Sequence, residues 1–548
     1  TNTTGAHNCG AGYYVLAVNT TGAYNTSVGS YTLDANTTGS NNTAVGYNAL
    51  SENTTGAYNV AMGMYALDAA TTVSNNTAIG YAALSATTTG ATNTAIGSNS
   101  MTANTTGYSN VALGYGSLDA NTTGVQNTAL GYNCLGASQT ANNNVAVGYA
   151  ALYALTTGTL NCAVGLNPLL ANTTGSNNVA MGYAALASNT TAGNNTAVGY
   201  QALYANTTGA NNCAFGSHAM DANTTGQLNN AFGYGALSSS TTGSENDAFG
   251  YYSLVNNTTG VRNSAFGHQS LQDNTTGSYN SALGAWSLEE NTTGVYNTGI
   301  GYFALGGNTT ADSNTAVGYL ALRVNTTGGN NTAIGKDALY ANTTGSNNAA
   351  CGKDSLTAVT TGAENSALGV DSGFYVTTGS NNTMLGKSSG TVSSPSGRVD
   401  TGSNQICLGN DSVTDLYCAD TSISSSDSRD KTDISDFTHG LDWVKKLNPK
   451  TYVWDKRSWY SDDLSVTPNG SKKKSKKNIG FLAQDVLAIE QSDGFSTSAD
   501  NMLTVNLTED GTRYGLKYER LVPVLVNAIK ELSTKNEALE ARLAALES

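Results

Sequence analysis

Residues 42–58 read Asn-Thr-Ala-Val-Gly-Tyr-Asn-Ala-Leu-Ser-Glu-Asn-Thr-Thr-Gly-Ala-Tyr, and this 17-residue unit recurs in register 23 times up to about residue 390. Self-similarity at a fixed short period is the signature of a repeat architecture. Two columns of the repeat never vary, and both indicate a single stacked geometry. They are the Asn that opens each unit (Asn42, Asn59, Asn76) and the Gly four residues later (Gly46, Gly63, Gly80).

Each unit is predicted to form one coil of a parallel β-solenoid or β-roll. The segment 42–47 alternates small or polar with apolar residues, which is the period of a short strand. A second short stretch ends at Leu50, and Asn53 and Gly56 suit a turn with positive φ. The unit is too short for a helix pair and too rich in Gly, Asn and Thr for helix. We therefore expect strand, bend, strand and turn.

Two apolar columns are predicted to fill the interior of these coils. Four successive repeats place Phe in the first column, and we expect a wider core there. The invariant Asn is interpreted as a buried ladder from coil to coil rather than a ligand site, and the invariant Gly as a crowded or left-handed position. The columns are Val45, Met62, Ile79 and Ile96; Leu33, Leu50, Leu67 and Leu84; and Phe215, Phe232, Phe249 and Phe266.

Composition excludes several classes of function. The formal net charge is −14, and residues 1–390 carry only 5 Lys or Arg and 15 Asp or Glu, which disfavours nucleic acid and anionic membrane surfaces. No run of about 18 apolar residues predicts a membrane span. The chain begins inside a repeat and without Met, so we expect an upstream anchor.

The seven cysteines do not predict a metal site or a disulfide framework. Five occupy repeat columns that elsewhere hold small residues, and they are interpreted as packing substitutes. Cys407 and Cys418 could pair, but their spacing does not decide this. No cofactor is predicted. The five are Cys9, Cys134, Cys162, Cys213 and Cys351.

The Asn-x-Ala-φ-Gly unit, where φ is apolar, resembles the repeats of trimeric bacterial adhesin heads and of phage fibre proteins. This resemblance covers residues 1–390. It implies an intertwined homotrimer, which the periodicity alone does not.

The C-terminal region carries a set of separate motifs in a fixed order. They are Ser-Asp-Ser-Arg-Asp-Lys-Thr-Asp-Ile from residue 426, Leu-Asn-Pro-Lys-Thr-Tyr at 447–452, Gly-Phe-Leu-Ala-Gln-Asp-Val at 480–486, Tyr-Gly-Leu-Lys-Tyr at 514–518 and Leu-Val-Pro-Val-Leu at 521–525. In this order they resemble the intramolecular chaperone domain of endosialidases and other phage tail fibres and spikes. The resemblance implies a trimeric domain that templates the folding of the preceding shaft and then cuts itself off.

The same resemblance implies a Ser/Lys dyad at Ser426 and Lys431, with scission between Ser425 and Ser426. A lysine can take the proton of a serine hydroxyl if desolvation lowers its pKa toward neutrality. Asp427 and Asp430 oppose this if they lie close to the amine. The enzyme class would be at most a single-turnover serine endopeptidase without an external substrate. The alternative interpretation of this stretch is a solvated loop.

The C-terminal end of the chain shows a heptad pattern, which predicts a coiled coil over about residues 520–548. Residue preferences at the seam favour two strands by the general rule, whereas the family resemblance implies three, which we expect. The seam positions are Val522, Leu525, Ile529, Leu532, Asn536, Leu539, Leu543 and Leu546.

Together these patterns predict a mainly β protein with a solenoid shaft at 1–390, a connector at 391–425 and a small α+β chaperone domain at 426–548. The predicted function is a virion fibre or tail-spike shaft outside the cell, bound to itself, to the virion through a missing N-terminal region, and to a host surface glycan. Tyr columns such as Tyr47 and Tyr81 could stack on sugars or pack on a neighbouring chain.

Two alternative functions remain open at this level. A polysaccharide-degrading spike needs a pair of carboxylates. Residues 1–390, which we also call the arm, contain two such pairs, Glu289 with Glu290 and Glu245 with Asp247. A surface- or ice-binding solenoid would use a regular Thr ladder. The Thr pairs recur as Thr37-Thr38, Thr54-Thr55 and Thr88-Thr89.

Overall fold

The computed structural model describes residues 2–413, 431–461, 466–496, 502–507 and 513–547. The chain divides into two compact units, Thr1–Leu320 with Asn325–Thr327, and Ala321–Val324 with Gly328–Ser548. The first unit consists of repeat coils, and the second contains further coils and the C-terminal domain. The architecture is mainly β, and the predicted parallel β-solenoid is confirmed.

Each coil of the first unit contributes one three-residue strand that pairs in parallel with the strand 17 residues further on. Thr43 lies opposite Val60 and Ala44 opposite Ala61, so each residue stacks on its equivalent in the next coil. The strands are β1 Cys9–Ala11, β2 Thr26–Val28, β3 Thr43–Val45, β4 Val60–Met62, β5 Thr77–Ile79, β6 Thr94–Ile96, β7 Val111–Leu113, β8 Thr128–Leu130, β9 Val145–Val147, β10 Cys162–Val164, β11 Val179–Met181, β12 Thr196–Val198, β13 Cys213–Phe215, β14 Asn230–Phe232, β15 Asp247–Phe249, β16 Ser264–Phe266, β17 Ser281–Leu283, β18 Thr298–Ile300 and β19 Thr315–Val317.

The second unit contains coils of the same kind, with one addition. Its strands are β20 Thr332–Ile334, β21 Ala349–Cys351, β22 Ser366–Leu368, β23 Thr383–Leu385 and β24 Ile406–Leu408. β24 pairs in parallel with β23, Ile406 opposite Thr383, after a step of 23 residues instead of 17. A longer, irregular coil therefore follows the last sequence repeat, within the segment that the sequence assigns to a connector.

From β2 to β24 the middle residue of each strand is buried in the interior, and the predicted phase of the first apolar column is wrong. Ala44 is fully buried between half-buried Thr43 and Val45, and Met62 is 40% exposed. Alternate strand residues face opposite sides, so only one of Ala44 and Val45 can point inward. The narrow interior accepts the smaller side chain.

The Phe run also lies outside the coil, so the predicted widening of the core is wrong. The ring centroids of Phe215 and Phe232 are 5.0 Å apart, and those of Phe232 and Phe249 are 4.7 Å apart. The planes lie within 10° of parallel, and Phe215 and Phe266 are each 38% exposed. These rings form an external stack.

The Leu column fills the interior as predicted, but its backbone is not a strand. Leu33, Leu50 and Leu67 are fully buried. Asn48 and Leu50 have φ values of 53°, in the left-handed region. Two left-handed residues so close together turn the chain too sharply for a second ladder, so the predicted second strand is wrong.

The Asn-Thr-Thr-Gly turn differs from its prediction in conformation. Positive φ falls on Tyr58, at 59°, and not on Asn53 or Gly56. Gly56 is required by space, because a Cβ there would lie 2.1 Å from the carbonyl oxygen of Val73 and 2.4 Å from Oδ1 of Asn53.

The predicted small C-terminal α+β domain is confirmed. β25 pairs with β26 and β27 with β28, both antiparallel. Trp443, Val486 and Val505 are buried in its core. The elements are α1 Leu441–Lys446, β25 Lys450–Val453, β26 Lys477–Gly480, α2 Ala483–Ser492, β27 Val505–Leu507, β28 Tyr514–Leu516 and α3 Val522–Glu547, with single 3-10 turns at Arg457–Trp459 and Tyr518–Leu521.

Candidate functional site

The invariant Asn side chains form a buried hydrogen-bonded ladder. The backbone N–H of Asn42 donates to Oδ1 of Asn25 at 3.0 Å, and that of Asn59 donates to Oδ1 of Asn42 at 3.0 Å. The Asn42 amide also donates to the carbonyl oxygen of Gly56 at 2.8 Å. Each side chain thus joins its neighbour coil to its own turn. These side chains have a structural role, since they are fully buried at Asn42, Asn59 and Asn76.

A second Asn ladder runs through the Asn-Thr-Thr-Gly turns, and sequence reasoning missed it. Nδ2 of Asn53 donates to Oδ1 of Asn36 at 2.8 Å and to the carbonyl oxygen of Gly56 at 3.2 Å. The recurrence of Asn three residues before Gly was the available signal. Its polarity argued for an exposed turn, whereas Asn53 is fully buried.

The invariant Gly column marks the closest approach of one coil to the next. Gly46 has a φ of 134°, and a Cβ there would lie 2.6 Å from the carbonyl oxygen of Gly63. Gly63 and Gly80 have φ values of 142° and 136° with the same crowding. Both conformation and space therefore demand Gly.

In the Thr pairs, the hydroxyl of the first Thr donates a hydrogen bond to a backbone carbonyl oxygen of the next coil. Oγ1 of Thr37 donates to the carbonyl oxygen of Thr54 at 3.0 Å, and Thr88 does the same to Thr105 at 3.2 Å. Half of the proposed surface Thr array is therefore part of the coil stacking.

The carboxylates considered for glycoside hydrolysis are tied to neighbours. Glu245 forms an ion pair with Arg262 at 2.8 Å, and this hydrogen bond holds the pKa of Glu245 below its usual value. Oδ1 of Asp247 accepts a hydrogen bond from Asn230 at 2.7 Å. A general acid needs a raised pKa, so Glu245 is unsuited to that role.

The cysteines of the arm are free thiols in the described part of the chain. Cys134 is buried, with Sγ 2.6 Å from the carbonyl oxygen of Gly148, whereas Cys9 and Cys351 are exposed. Interior packing therefore applies to Cys134 and not to Cys9 or Cys351. Cys407 is buried, and Cys418 lies outside the described residues.

Only one member of the predicted dyad lies in the described residues. Lys431 is exposed and precedes α1 without regular secondary structure. Ser426 and the bond after Ser425 lie outside the described ranges, so the dyad stays a prediction. Within those ranges no group of three or more His, Cys, Asp or Glu residues could hold a metal ion.

The domain that follows Lys431 is organised by buried polar contacts. Glu490 of α2 is fully buried and accepts hydrogen bonds from the backbone N–H of Thr504 at 2.7 Å and of Val505 at 3.2 Å. The indole N–H of Trp443 donates to Asp493 and holds the pKa of that carboxyl below its usual value. These contacts join α1 and α2 to the β27 segment.

Comparison with protein families places this domain. Residues 426–495 match the family model described as "Chaperone of endosialidase". The match covers α1, β25, β26 and α2 and begins at Ser426. No curated protein matches the chain significantly. We call residues 426–495 the endosialidase-type chaperone segment.

The C-terminal domain meets the irregular last coil at a buried charge cluster. Nη1 of Arg513 donates to both carboxylate oxygens of Asp411, at 3.0 and 3.1 Å. Lys456 approaches the same carboxylate at 3.6 Å, and the hydroxyl of Ser458 donates to it. Arg513 also donates to the carbonyl oxygen of Ser394 at 2.9 Å. We call these five residues the Asp411 cluster.

The Asp411 cluster could not be predicted from sequence, because Asp411 and Arg513 are 102 residues apart along the chain. Side-chain exposure is 4% for Asp411 and 15% for Arg513. A cleft of about 350 Å³ lies beside it, lined in part by Trp454, Arg457 and Gln484.

Helix α3 follows the endosialidase-type chaperone segment and presents two different faces. Val524 and Ala528 are buried, and the amide of Asn527 donates to the carbonyl oxygen of Phe437. The heptad seam is exposed instead, with Ile529 at 67% and Leu532 at 57%. From residue 532 onward every described residue of α3 is exposed. No described helix is long and apolar enough to cross a membrane.

Proposed function

We propose that this chain is the shaft of a homotrimeric virion fibre or tail spike, assembled and set in register by its C-terminal chaperone domain. The observation that carries the proposal is the match of residues 426–495 to the endosialidase chaperone model, C-terminal to a β-solenoid.

The exposed seam of α3 supports self-association. An apolar helix stripe that the described part of the chain leaves exposed favours assembly with copies of itself. The two seam columns continue over four heptads, Val522 to Leu543 and Leu525 to Leu546. Asn536 stands within this seam and would align the copies, because a buried polar residue specifies register.

Because the coils are nearly identical, they do not define the register between copies of the shaft. A slip of one whole coil between copies would exchange one Ala, Leu and Asn column for an equivalent one at little local cost. An element outside the repeat must therefore set the register. A trimerising domain at one end meets this need.

Self-association is tested on the full chain by analytical ultracentrifugation. We expect three copies for the wild type and loss of assembly for Leu532→Asp with Leu539→Asp, which place charge in the seam. Ala541→Asp is the matched control, because residue 541 lies outside the seam. A stable dimer, or an assembly that survives the seam changes, would contradict the proposal.

The proposed self-cleavage separates residues 426–548 from the shaft. Ser426 would attack the carbonyl carbon of Ser425 while Lys431 takes the hydroxyl proton. The C–N bond between Ser425 and Ser426 breaks as Lys431 returns the proton to the departing nitrogen, which becomes the amino group of Ser426, and an ester then joins the two segments. Water hydrolyses this ester to the Ser425 carboxylate and the free Ser426 hydroxyl, releasing a C-terminal fragment that starts at Ser426.

Mass spectrometry of the expressed chain tests the cleavage. We expect a fragment starting at Ser426 in the wild type, none in Ser426→Ala or Lys431→Met, and an unchanged fragment in Ser428→Ala. An intact wild-type chain would show that cleavage does not occur here, and would leave the assembly proposal to its own test.

A further inference from the structure

Aromatic rings form a ladder along the outside of the first unit. The residue directly after each invariant Gly, which we call the ring column, is most often an exposed Tyr. Centroids of successive rings are 5.4 Å apart for Tyr115 and Tyr132 and 5.2 Å for Tyr132 and Tyr149, with planes 12° and 6° from parallel. In such stacked pairs the rings cover each other's faces, so a stacked stretch of the ladder offers mainly edges and hydroxyl groups.

Interruptions of the ring column are repaired by the next residue along the chain. Where Ser217 replaces Tyr, His218 takes the place, 5.2 Å from Tyr200 and 6.2 Å from Tyr234. Where Ala285 replaces Tyr, Trp286 lies 5.2 Å from His268 and 5.3 Å from Tyr302.

The same repair occurs near the beginning of the arm. Tyr31 stands in for Ser30 and lies 5.5 Å from Tyr13 and 6.0 Å from Tyr47. Tyr65 accompanies Met64 and lies 5.8 Å from Tyr47 and 6.3 Å from Tyr81. Four repaired interruptions show that the ladder is filled wherever a ring can be supplied from the adjacent position.

One coil leaves the ladder open. Ser98 occupies the ring column and Asn99 follows it, so this coil supplies neither a ring nor a bulky aliphatic side chain. The other unrepaired coil among the described coils of the first unit has Leu166, which is 43% exposed and fills the ring column with a bulky side chain. Ser98 is therefore a missing rung between Tyr81 and Tyr115.

The missing rung has the dimensions of a ring. Tyr81 and Tyr115 are two coil steps apart, roughly 10 Å at the ~4.8 Å spacing of paired strands. A ring placed midway would lie about 5 Å from each Tyr, as neighbouring rungs of the ladder do. Tyr81 and Tyr115, the rings at the opening, are 51% and 50% exposed.

We propose that the gap at Ser98 binds one pyranose ring of a surface glycan between Tyr81 and Tyr115. A pyranose offers apolar C–H faces to the two Tyr rings and hydroxyl groups to the Ser98 hydroxyl and the Asn99 amide. Aromatic walls with a few polar groups are typical of small-ligand sites. A nucleic-acid base is disfavoured by the net charge of −14 and the scarcity of cations in the arm. The proposal rests on these coils and is independent of the chaperone proposal.

Saturation-transfer difference NMR on the full chain tests this site with three probes: methyl α-D-glucopyranoside, methyl β-D-galactopyranoside and methyl N-acetyl-β-D-glucosaminide. We expect ring-proton signals for at least one probe, and none for sorbitol, which has hydroxyl groups but no ring. Ser98→Tyr restores the common rung and should abolish the signal. Leu166→Tyr, which restores a rung elsewhere, should leave it unchanged.

Tyr115→Leu is a second variant, which removes one wall and should weaken the signal at least several-fold. Absence of signal for all three pyranosides, or equal signals in the wild type and Ser98→Tyr, would overturn the proposal. A change in the mass of the assembly in Ser98→Tyr without any saccharide signal would assign the gap to a ring of a neighbouring copy, and would overturn it as well.

Discussion

At the scale of single residues, the turn ladder of Asn side chains shows what each rung contributes. Among the described residues, Oδ1 of Asn53, Asn121 and Asn223 has no hydrogen-bond partner. In each case the next coil lacks Asn and carries Ala70, Ser138 or Ser240 instead. A buried acceptor without a donor is costly, so these positions are weak points of the stack.

Restoring a rung should stabilise the solenoid. Ala70→Asn would place an amide beside Oδ1 of Asn53, and we expect a gain of about 1 kcal/mol in the free energy of unfolding, measured by denaturant titration. Ala103→Asn is the control, because its column holds Asn256 in a later coil without joining this ladder. A loss of stability in Ala70→Asn would mean that the coil has no room for the amide.

The carboxyl group of Asp68 is expected to make the stability of the folded state depend on pH. Burial raises its pKa above the usual value, so the folded state binds the proton more tightly than the unfolded state does. Its contribution therefore becomes more favourable as pH falls through the raised pKa, and the charged form opposes folding at neutral pH. Asp68→Asn should raise the melting temperature at about pH 7 and change it much less near pH 3. An equal effect at both pH values would contradict this origin.

The phase of the strand residues could not be predicted from the sequence. Alternation in residues 43–45 was visible, but Ala44 and Val45 are both apolar, and hydrophobicity favoured the larger one for the interior. The deciding factor is the narrow coil, whose centre already holds Leu50. In contrast, the invariance of Asn42 was sufficient to predict a buried ladder, because only a repeated structural contact needs the same polar side chain in every coil.

At the scale of the coil, the two Gly columns have different tolerances. The column of Gly46 never varies, whereas the column of Gly56 contains Val73, Ala141 and Ala192. Both columns are crowded by a backbone carbonyl oxygen of the next coil, but only the first also has positive φ.

A matched pair of substitutions tests this difference. Gly97→Ala places a methyl group 2.4 Å from the carbonyl oxygen of Gly114 at a φ of 139°, and we expect a loss of about 3 kcal/mol or more. Gly107→Ala meets the carbonyl oxygen of Gly124 at the same 2.4 Å and the Asn104 side chain at 2.3 Å, but without positive φ, and should cost about half as much. Equal losses in urea unfolding would show that space alone governs both columns.

Elements with a strong period were predicted better than those set by turns. The heptads predicted a helix over about 520–548, and α3 spans Val522–Glu547. The prediction of a second strand in each coil was wrong, because the short stretch before Leu50 fits either a strand or a left-handed bend. Only the stacking of the coils decides between the two. The irregular coil at β24 was not predicted, because residues 391–405 break the 17-residue period.

At the scale of the whole molecule, the Asp411 cluster predicts the fate of the C-terminal fragment after the proposed scission. The cut would sever the chain between Asp411 and Arg513 but leave their ion pair intact. Removing Arg513 would leave the Asp411 carboxylate buried with less compensation, at a cost of about 3 kcal/mol. We therefore expect the C-terminal fragment to remain bound to the shaft.

Size-exclusion chromatography of the cleaved protein measures this retention. The fragment should co-elute with the shaft in the wild type and separate from it in Arg513→Met. Arg520→Met is the control, since Arg520 donates to the carbonyl oxygen of Leu503 within the C-terminal domain. Separation already in the wild type would show that the cluster does not hold the fragment.

The match of residues 426–495 to the endosialidase chaperone model was predictable, because the motifs of this region occur as several ordered blocks. The contacts of Asp411 and Glu490 were not predictable, since their partners come from distant segments. A charge buried by long-range packing has the same local sequence as one that remains in solvent.

The one-to-one stacking of equivalent residues also bears on how such a gene can change. Each coil presents the same backbone groups to the next coil. Deletion or duplication of one 51-nucleotide unit therefore joins two compatible coils, and the contacts between coils remain of the same type. Unequal recombination between repeats would therefore alter the number of coils in whole steps without passing through a misfolded product. Substitutions such as Ser98, once present in a single coil, would travel along the arm with each such event.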